Sequence, residues 1–245
     1  MTKERTIVGS ELDGVNETAA SLGSGSSGGR RAMLGLLSQR ERWGLTLRGW
    51  LLSMAIAGGI VALCVWKIVP FLAVTQPVAC DYLVVEGWLP NYAIQEAAEY
   101  FRQHGMKRII TVGGPVRGAV EPAEEDDTYA YTAATALRKL GLAAETDMVP
   151  SEVWAKDRTA GTATALREWF TKKQIKPGAL TVVSLGTHAR RTRLLYERGF
   201  EGTMPIGIIA VRRREYDPAC WWRYSEGIKE VVSEGLAYVY ARLQF

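Results

Sequence analysis

Apolar residues fall into three regimes along this chain. Through residue 46 the sequence is polar and poor in aromatics, and it contains the run Ser21-Leu22-Gly23-Ser24-Gly25-Ser26-Ser27-Gly28-Gly29. Such a stretch buries too little apolar surface to offset chain entropy, so residues 1–46 read as a disordered segment. Gly23, Gly25 and Gly28 match G-x-G-x-x-G, but no strand precedes them and no apolar helix opens from them, so they read as linker. The second regime is an uncharged apolar stretch between Trp50 and Trp66 that resumes after Lys67 and runs through Val74. It approaches the roughly 20 residues needed to cross a hydrocarbon core about 30 Å thick, and tryptophans at both ends suit the interfaces. A cleaved signal peptide would start earlier and end in small residues, whereas this run ends in Lys67 and Pro70. Residues 47–74 are therefore expected to form a transmembrane anchor.

The third regime, residues 75–245, alternates strand and helix signals. Tyr82-Leu83-Val84-Val85 leads to Glu86-Gly87-Trp88, after which Ala93, Ala97, Ala98 and Phe101 recur at helical spacing. Further strands are expected at 108–112, 147–149, 180–185 and 206–211, with helices at 129–140, 163–170, 187–198 and 228–243. Such alternation predicts an α/β fold. It is a Rossmann-like three-layer sandwich with a mainly parallel sheet of about five strands, preceded by the one membrane helix.

Charge adds orientation more than function. The net charge of +4 is small and acids are spread throughout, so nucleic acid is not implied. Arg30, Arg31, Arg40, Arg42 and Arg48 precede the span and only Lys67 follows it closely. The positive-inside rule then places the N-terminus in the cytoplasm, the anchor in the plasma membrane and the C-terminal domain in the periplasm or outside. The three cysteines and two histidines show no metal-ligand spacing, and nothing in the sequence identifies a cofactor. In an oxidising compartment Cys80 and Cys220 are the candidate disulfide pair, with Cys64 inside the span.

In open parallel sheets ligands bind beyond the carboxyl ends of the strands. Those loops carry Glu86, Gly87 and Trp88; Gly113 and Gly114; Asp157, Arg158 and Thr159; and Thr187, His188, Arg190 and Arg191. A histidine with arginines near helix N-termini, among glycines, points to an anion, naturally a phosphate. Arg190 and Arg191 point about 100° apart, so both do not easily face one small ligand. Glu226, Glu230 and Glu234 form an i, i+4 stripe that reads as a solvated helix face. Trp221-Trp222 reads equally as core or as a membrane-interface patch.

The strand ending in a Gly turn, the strand ending in Gly113-Gly114, Asp157-Arg158-Thr159 before a helix, and Thr187-His188-Ala189-Arg190-Arg191 after a strand resemble DUF218, the YdcF/SanA/ElyC family. The resemblance covers about residues 81–200 and departs at Glu86-Gly87-Trp88. It implies a Rossmann-like fold and, for anchored members, a role in cell-envelope upkeep, with Arg158, Thr159, His188 and Arg191 as the recurrent polar marks. Two function classes stand. One is a hydrolase or transferase on phosphate-bearing, lipid-linked or nucleotide-like envelope precursors, with His188 and Glu86 as acid or base. The other is a non-catalytic sensor or scaffold of an envelope or exopolysaccharide assembly.

Overall fold

The strongest apolar runs become the centre of a parallel sheet. The structure, a computed structural model, describes residues 37–39, 43–119, 124–152 and 157–244, which fall into two compact units divided between Gly58 and Gly59. The Gly/Ser run and most of the segment read as disordered lie outside the described residues.

In the first unit, β1 (Leu37–Gln39) and β2 (Trp43–Leu45) pair antiparallel, with Leu37 opposite Leu45. Nothing in the polar pattern of this segment signals them. Helix α1 (Leu47–Leu72) starts here, and the Thr46 hydroxyl accepts the Gly49 N–H at 3.2 Å. Its 26 residues span about 39 Å at 1.5 Å each, and the helix is long and apolar enough to cross a membrane. Trp50, Met54, Ile60, Leu63 and Trp66 are all exposed along it.

The second unit holds β3 (Tyr82–Glu86), α2 (Asn91–Gln103), β4 (Arg108–Gly113), α3 (Tyr129–Lys139), β5 (Thr146–Pro150) and α4 (Arg158–Lys172). These are followed by β6 (Leu180–Leu185), α5 (Ala189–Gly199), β7 (Ile206–Val211) and α6 (Ser225–Gln244). Five strands pair in the order β5-β4-β3-β6-β7, all parallel. The expected α/β architecture is what the chain adopts. Strand pleating sends alternate residues to opposite faces. Leu83, Val85, Ile109, Val183 and Leu185 pack under α2 and α3, against Ala97, Phe101 and Leu137. Val84, Ile110, Val112 and Val182 pack under α4 and α5, against Leu166, Phe170 and Tyr196. Each fully buried aliphatic side chain contributes about 1.5–3 kcal/mol by leaving water.

Both sheet edges are managed. β5 ends in Pro150, which suits an edge strand. At the other edge Gln76 exchanges two backbone hydrogen bonds with Ile208, at 2.7 and 3.0 Å, so the chain leaving α1 covers β7. The exit of α1 is also packed: Val69 and Leu72 are buried, and Val69 joins Tyr216, Trp221 and Val231 in a small cluster. Trp221 is core, its Nε1 donating to the Val65 carbonyl at 3.1 Å, while Trp222 is exposed.

The candidate Cys80–Cys220 disulfide does not form; all three cysteines are free. Cys80 precedes the amino end of β3 and Cys220 follows the carboxyl end of β7, so the length of a strand separates them. Their thiols instead contact Tyr82 O and Thr181 Oγ1, and Asp217 Oδ2.

Candidate functional site

The chain runs outward from β3 to β4 and β5, then returns to lay β6 against the other side of β3. That reversal opens a crevice beyond the carboxyl ends of β3 and β6. A cleft of about 610 Å³ lies there, within the usual range for small-molecule sites. Glu86, Trp88, Gly113, Gly114, Arg158, Thr159, His188 and Arg191 all line it. Residues about a hundred positions apart thus share one wall because parallel strands deliver their following loops to one sheet edge.

Glu86 ends β3 and is buried at 4% exposure. A carboxylate there needs donors, and it has them: Ser184 Oγ at 2.5 Å and Thr192 Oγ1 at 3.3 and 3.4 Å. The ring of Tyr196 is fully buried nearby, and burial, followed by the charge of Glu86, holds its phenol well above the usual range.

His188 closes the 3-10 turn Gly186–His188 that carries β6 into α5. Its ring meets Trp88 edge to face at 5.1 Å. Nδ1 stands 3.0 Å from Glu234 Oε1, and Arg191 grips the same carboxylate twice, Nε to Oε2 at 2.9 Å and Nη2 to Oε1 at 3.1 Å. Arg191 Nη2 also lies 2.9 Å from Nδ1. An ionised Glu234 accepts from Arg191, and from Nδ1 when the ring carries its proton there; in the other tautomer Nδ1 accepts from Arg191 Nη2. Burial pushes the Glu234 carboxyl up, but the hydrogen bonds and charges of His188 and Arg191 outweigh it and hold the group at about 2. Nε2 of His188 is buried, with no hydrogen-bond partner among the described residues and 3.8 Å from Glu86 Oε1. A carboxylate-oriented imidazole with a free Nε2 can take up and return a proton.

A second carboxylate of α6, Glu230, forms an ion pair with Arg213 at 2.5 Å and accepts from Thr187 Oγ1 at 2.8 Å and Tyr216 Oη at 3.3 Å. Burial, then the charge of Glu230, raises the Tyr216 phenol strongly. Arg191 and Arg213 are thus matched by carboxylates, whereas Arg158 has none among the described residues. Its Nη2 donates to the Pro115 carbonyl at 2.6 Å and its guanidinium lies 5.4 Å from the Tyr129 ring centre. Arg158 is also the first residue of α4, whose unpaired N–H groups add partial positive charge at the same place. Asp157 before it lies at φ 55, an unusual left-handed conformation for a non-glycine residue at the cleft wall.

Three expected ligand residues have other work. Arg190 turns away, donating to the Phe71 carbonyl with its guanidinium 4.1 Å from the Phe71 ring centre. The 100° step along α5 separates it from Arg191. Thr187 is spent on Glu230 and does not line the cleft. Gly87 does not line it either, and its N–H donates to Val112 O at 2.7 Å rather than to a ligand. Glycine is needed there because a Cβ would come 2.2 Å from the Tyr129 carbonyl oxygen, and a Cβ at Gly113 would come 2.8 Å from the Tyr129 Cβ.

The sequence reading missed Glu230, Glu234 and Arg213. The two glutamates are not a solvated face; only Glu226 of that stripe is exposed. Arg213 follows β7, so the rule that named the other loops could have found it. Among the described residues no group of three His, Cys, Asp or Glu is arranged to hold a metal ion. Compared with known proteins, the chain matches no family model, no curated protein and no solved structure.

Proposed function

We propose that this chain is a membrane-anchored, DUF218-like protein whose extracytoplasmic domain binds a phosphate-bearing ligand and acts on it in cell-envelope or exopolysaccharide biogenesis. The observation that carries this reading is the pairing, in one cleft, of a carboxylate-oriented His188, whose Nε2 has no hydrogen-bond partner among the described residues, with an Arg158 that no described carboxylate neutralises. Arg158 and the α4 N-terminus hold the phosphate oxygens. His188 takes a proton from a water or hydroxyl as its oxygen bonds to phosphorus. The bridging P–O bond breaks, and the same proton returns to the leaving oxygen. Glu234 and Arg191 keep the imidazole oriented, and Glu86 supports the imidazolium from the other side.

The hydroxyls nearest Glu86, those of Ser184 and Thr192, are fully buried and held in hydrogen bonds. That favours direct transfer over a covalent intermediate on the protein, and it is also the observation that favours a non-catalytic sensor or scaffold. By the positive-inside rule, the arginines before α1 support a cytoplasmic N-terminus and a domain on the far side of the plasma membrane. There the tether keeps the cleft near lipid-linked precursors. The test is phosphate release from a panel of pyrophosphate esters by the full chain. Turnover lost in His188→Ala with ligand binding retained supports catalysis; binding without turnover in the wild type supports the sensor.

A further inference from the structure

The outer face of α6 is largely apolar and has no cover among the described residues. Ile228, Val232, Leu236, Val239, Tyr240 and Leu243 are 43–81% exposed. At 100° per residue they fall within about 120° of arc. Glu230 and Glu234 occupy the opposite side, facing the cleft. This helix therefore turns carboxylates inward and large apolar side chains outward, the reverse of a solvated surface helix. A contiguous apolar strip of this length on a protein surface marks an interaction site.

The neighbours of α6 identify the occupant. The exit of α1 packs on the elements around it: Val65 and Val69 join the cluster of Trp221 and Val231, and the Phe71 ring meets Tyr238 edge to face at 5.5 Å. Trp221 Nε1 bonds the Val65 carbonyl, and the residues that follow these two, Trp222 and Trp66, are both exposed. Lys67 lies 4.2 Å over the Trp66 ring, and Lys229 and Arg223 are exposed beside Trp222 and Ile228. Exposed tryptophans with lysine and arginine beside them are the side chains of the membrane-water interface.

We infer that α6 and the Trp222 turn are a second, interfacial membrane contact: the domain lies against the bilayer on the outer face of α6, its cations meeting anionic headgroups. This rests on α1 crossing the membrane and goes beyond the ligand reading of the cleft. The occupant is lipid rather than a second copy because the strip adjoins a helix that itself enters the bilayer, and because exposed Arg223 and Lys229 outnumber the one exposed carboxylate at the start of α6, Glu226. The domain is then held flat on the membrane instead of swinging on a tether.

The test uses the full chain in nanodiscs containing anionic lipid, with single nitroxide labels at residues 228, 232 and 236, at 63 in α1 and at 168 on α4. Relaxation by oxygen, which concentrates in lipid, is compared with relaxation by an aqueous nickel chelate. Oxygen is expected to dominate at 63, 228, 232 and 236, and the chelate at 168. Chelate access at 228, 232 and 236 equal to that at 168, with 63 still in lipid, overturns the interfacial contact alone. Chelate access at 63 overturns the anchor and this inference together. Short distances between like labels on two copies, with oxygen and chelate both excluded, assign the strip to a dimer instead.

Discussion

Replacing Glu234 with Gln removes the charge that orients His188 while nearly preserving shape. The carboxyl falls from 4.5 to about 2 against the cost of burial, because His188 and Arg191 both bond its ionised form. At about 1.4 kcal/mol for each pH unit between those values, ionised Glu234 contributes about 3 kcal/mol to folding at neutral pH. The side chain is 16% exposed, so solvent screening takes little from this figure. A carboxyl whose folded pKa lies below its unfolded one stabilises fully above about pH 4.5, and the contribution fades as pH falls through about 2. Urea unfolding of the full chain in detergent, followed by tryptophan fluorescence, should show Glu234→Gln less stable by about 3 kcal/mol at pH 7. Comparing wild type with variant at each pH cancels the other carboxylates, and the gap should shrink by more than half by about pH 3. A gap that stays constant from pH 7 to pH 3 would refute an ionised Glu234 clamped between His188 and Arg191.

Other expectations are simpler. Gly87→Ala forces a methyl group into the Tyr129 backbone, where a Cβ would sit 2.2 Å from the carbonyl oxygen. Thermal unfolding should report a loss of about 1–3 kcal/mol or more, and an unchanged midpoint would contradict the close approach. A periplasmic reporter fused to the C-terminus should be active and a cytoplasmic one silent; the reverse would overturn the orientation argued from the arginines. Under mild oxidation Cys80 and Cys220 should remain separate thiols, each alkylated in mass spectrometry, whereas a linked peptide pair would contradict their placement at opposite ends of the sheet.

The strands were the most legible part because their runs are apolar on both faces, as a doubly covered parallel sheet requires. Residues 180–185 and 206–211 could be read directly, while Thr146–Pro150, an edge strand with polar residues, gave only a faint signal. Helix α4 begins at Arg158, five residues before its first strongly apolar stretch, because its first turn faces the cleft instead of the core. The convergence of Glu86, Arg158, His188 and Arg191 followed from topology alone. Glu230 and Glu234 were illegible for a specific reason: acids at i and i+4 look the same on a solvated face and on a face turned toward half-buried arginines. The loops of Gly87 and Gly113 were located correctly, but glycine was read as an opening for a ligand where it makes room for Tyr129.

The claim that matters most is that phosphate binds at Arg158 and not merely wherever arginines cluster. Isothermal titration of the full chain with pyrophosphate compares wild type, Arg158→Ala and Arg190→Ala, the last removing a cation that bonds Phe71 outside the cleft. The expected result is binding weakened by about 1.5–3 kcal/mol in Arg158→Ala, the range for a hydrogen bond to a charged group, with Arg190→Ala unchanged. Equal losses in both variants, or none in either, would contradict the assignment of the cleft.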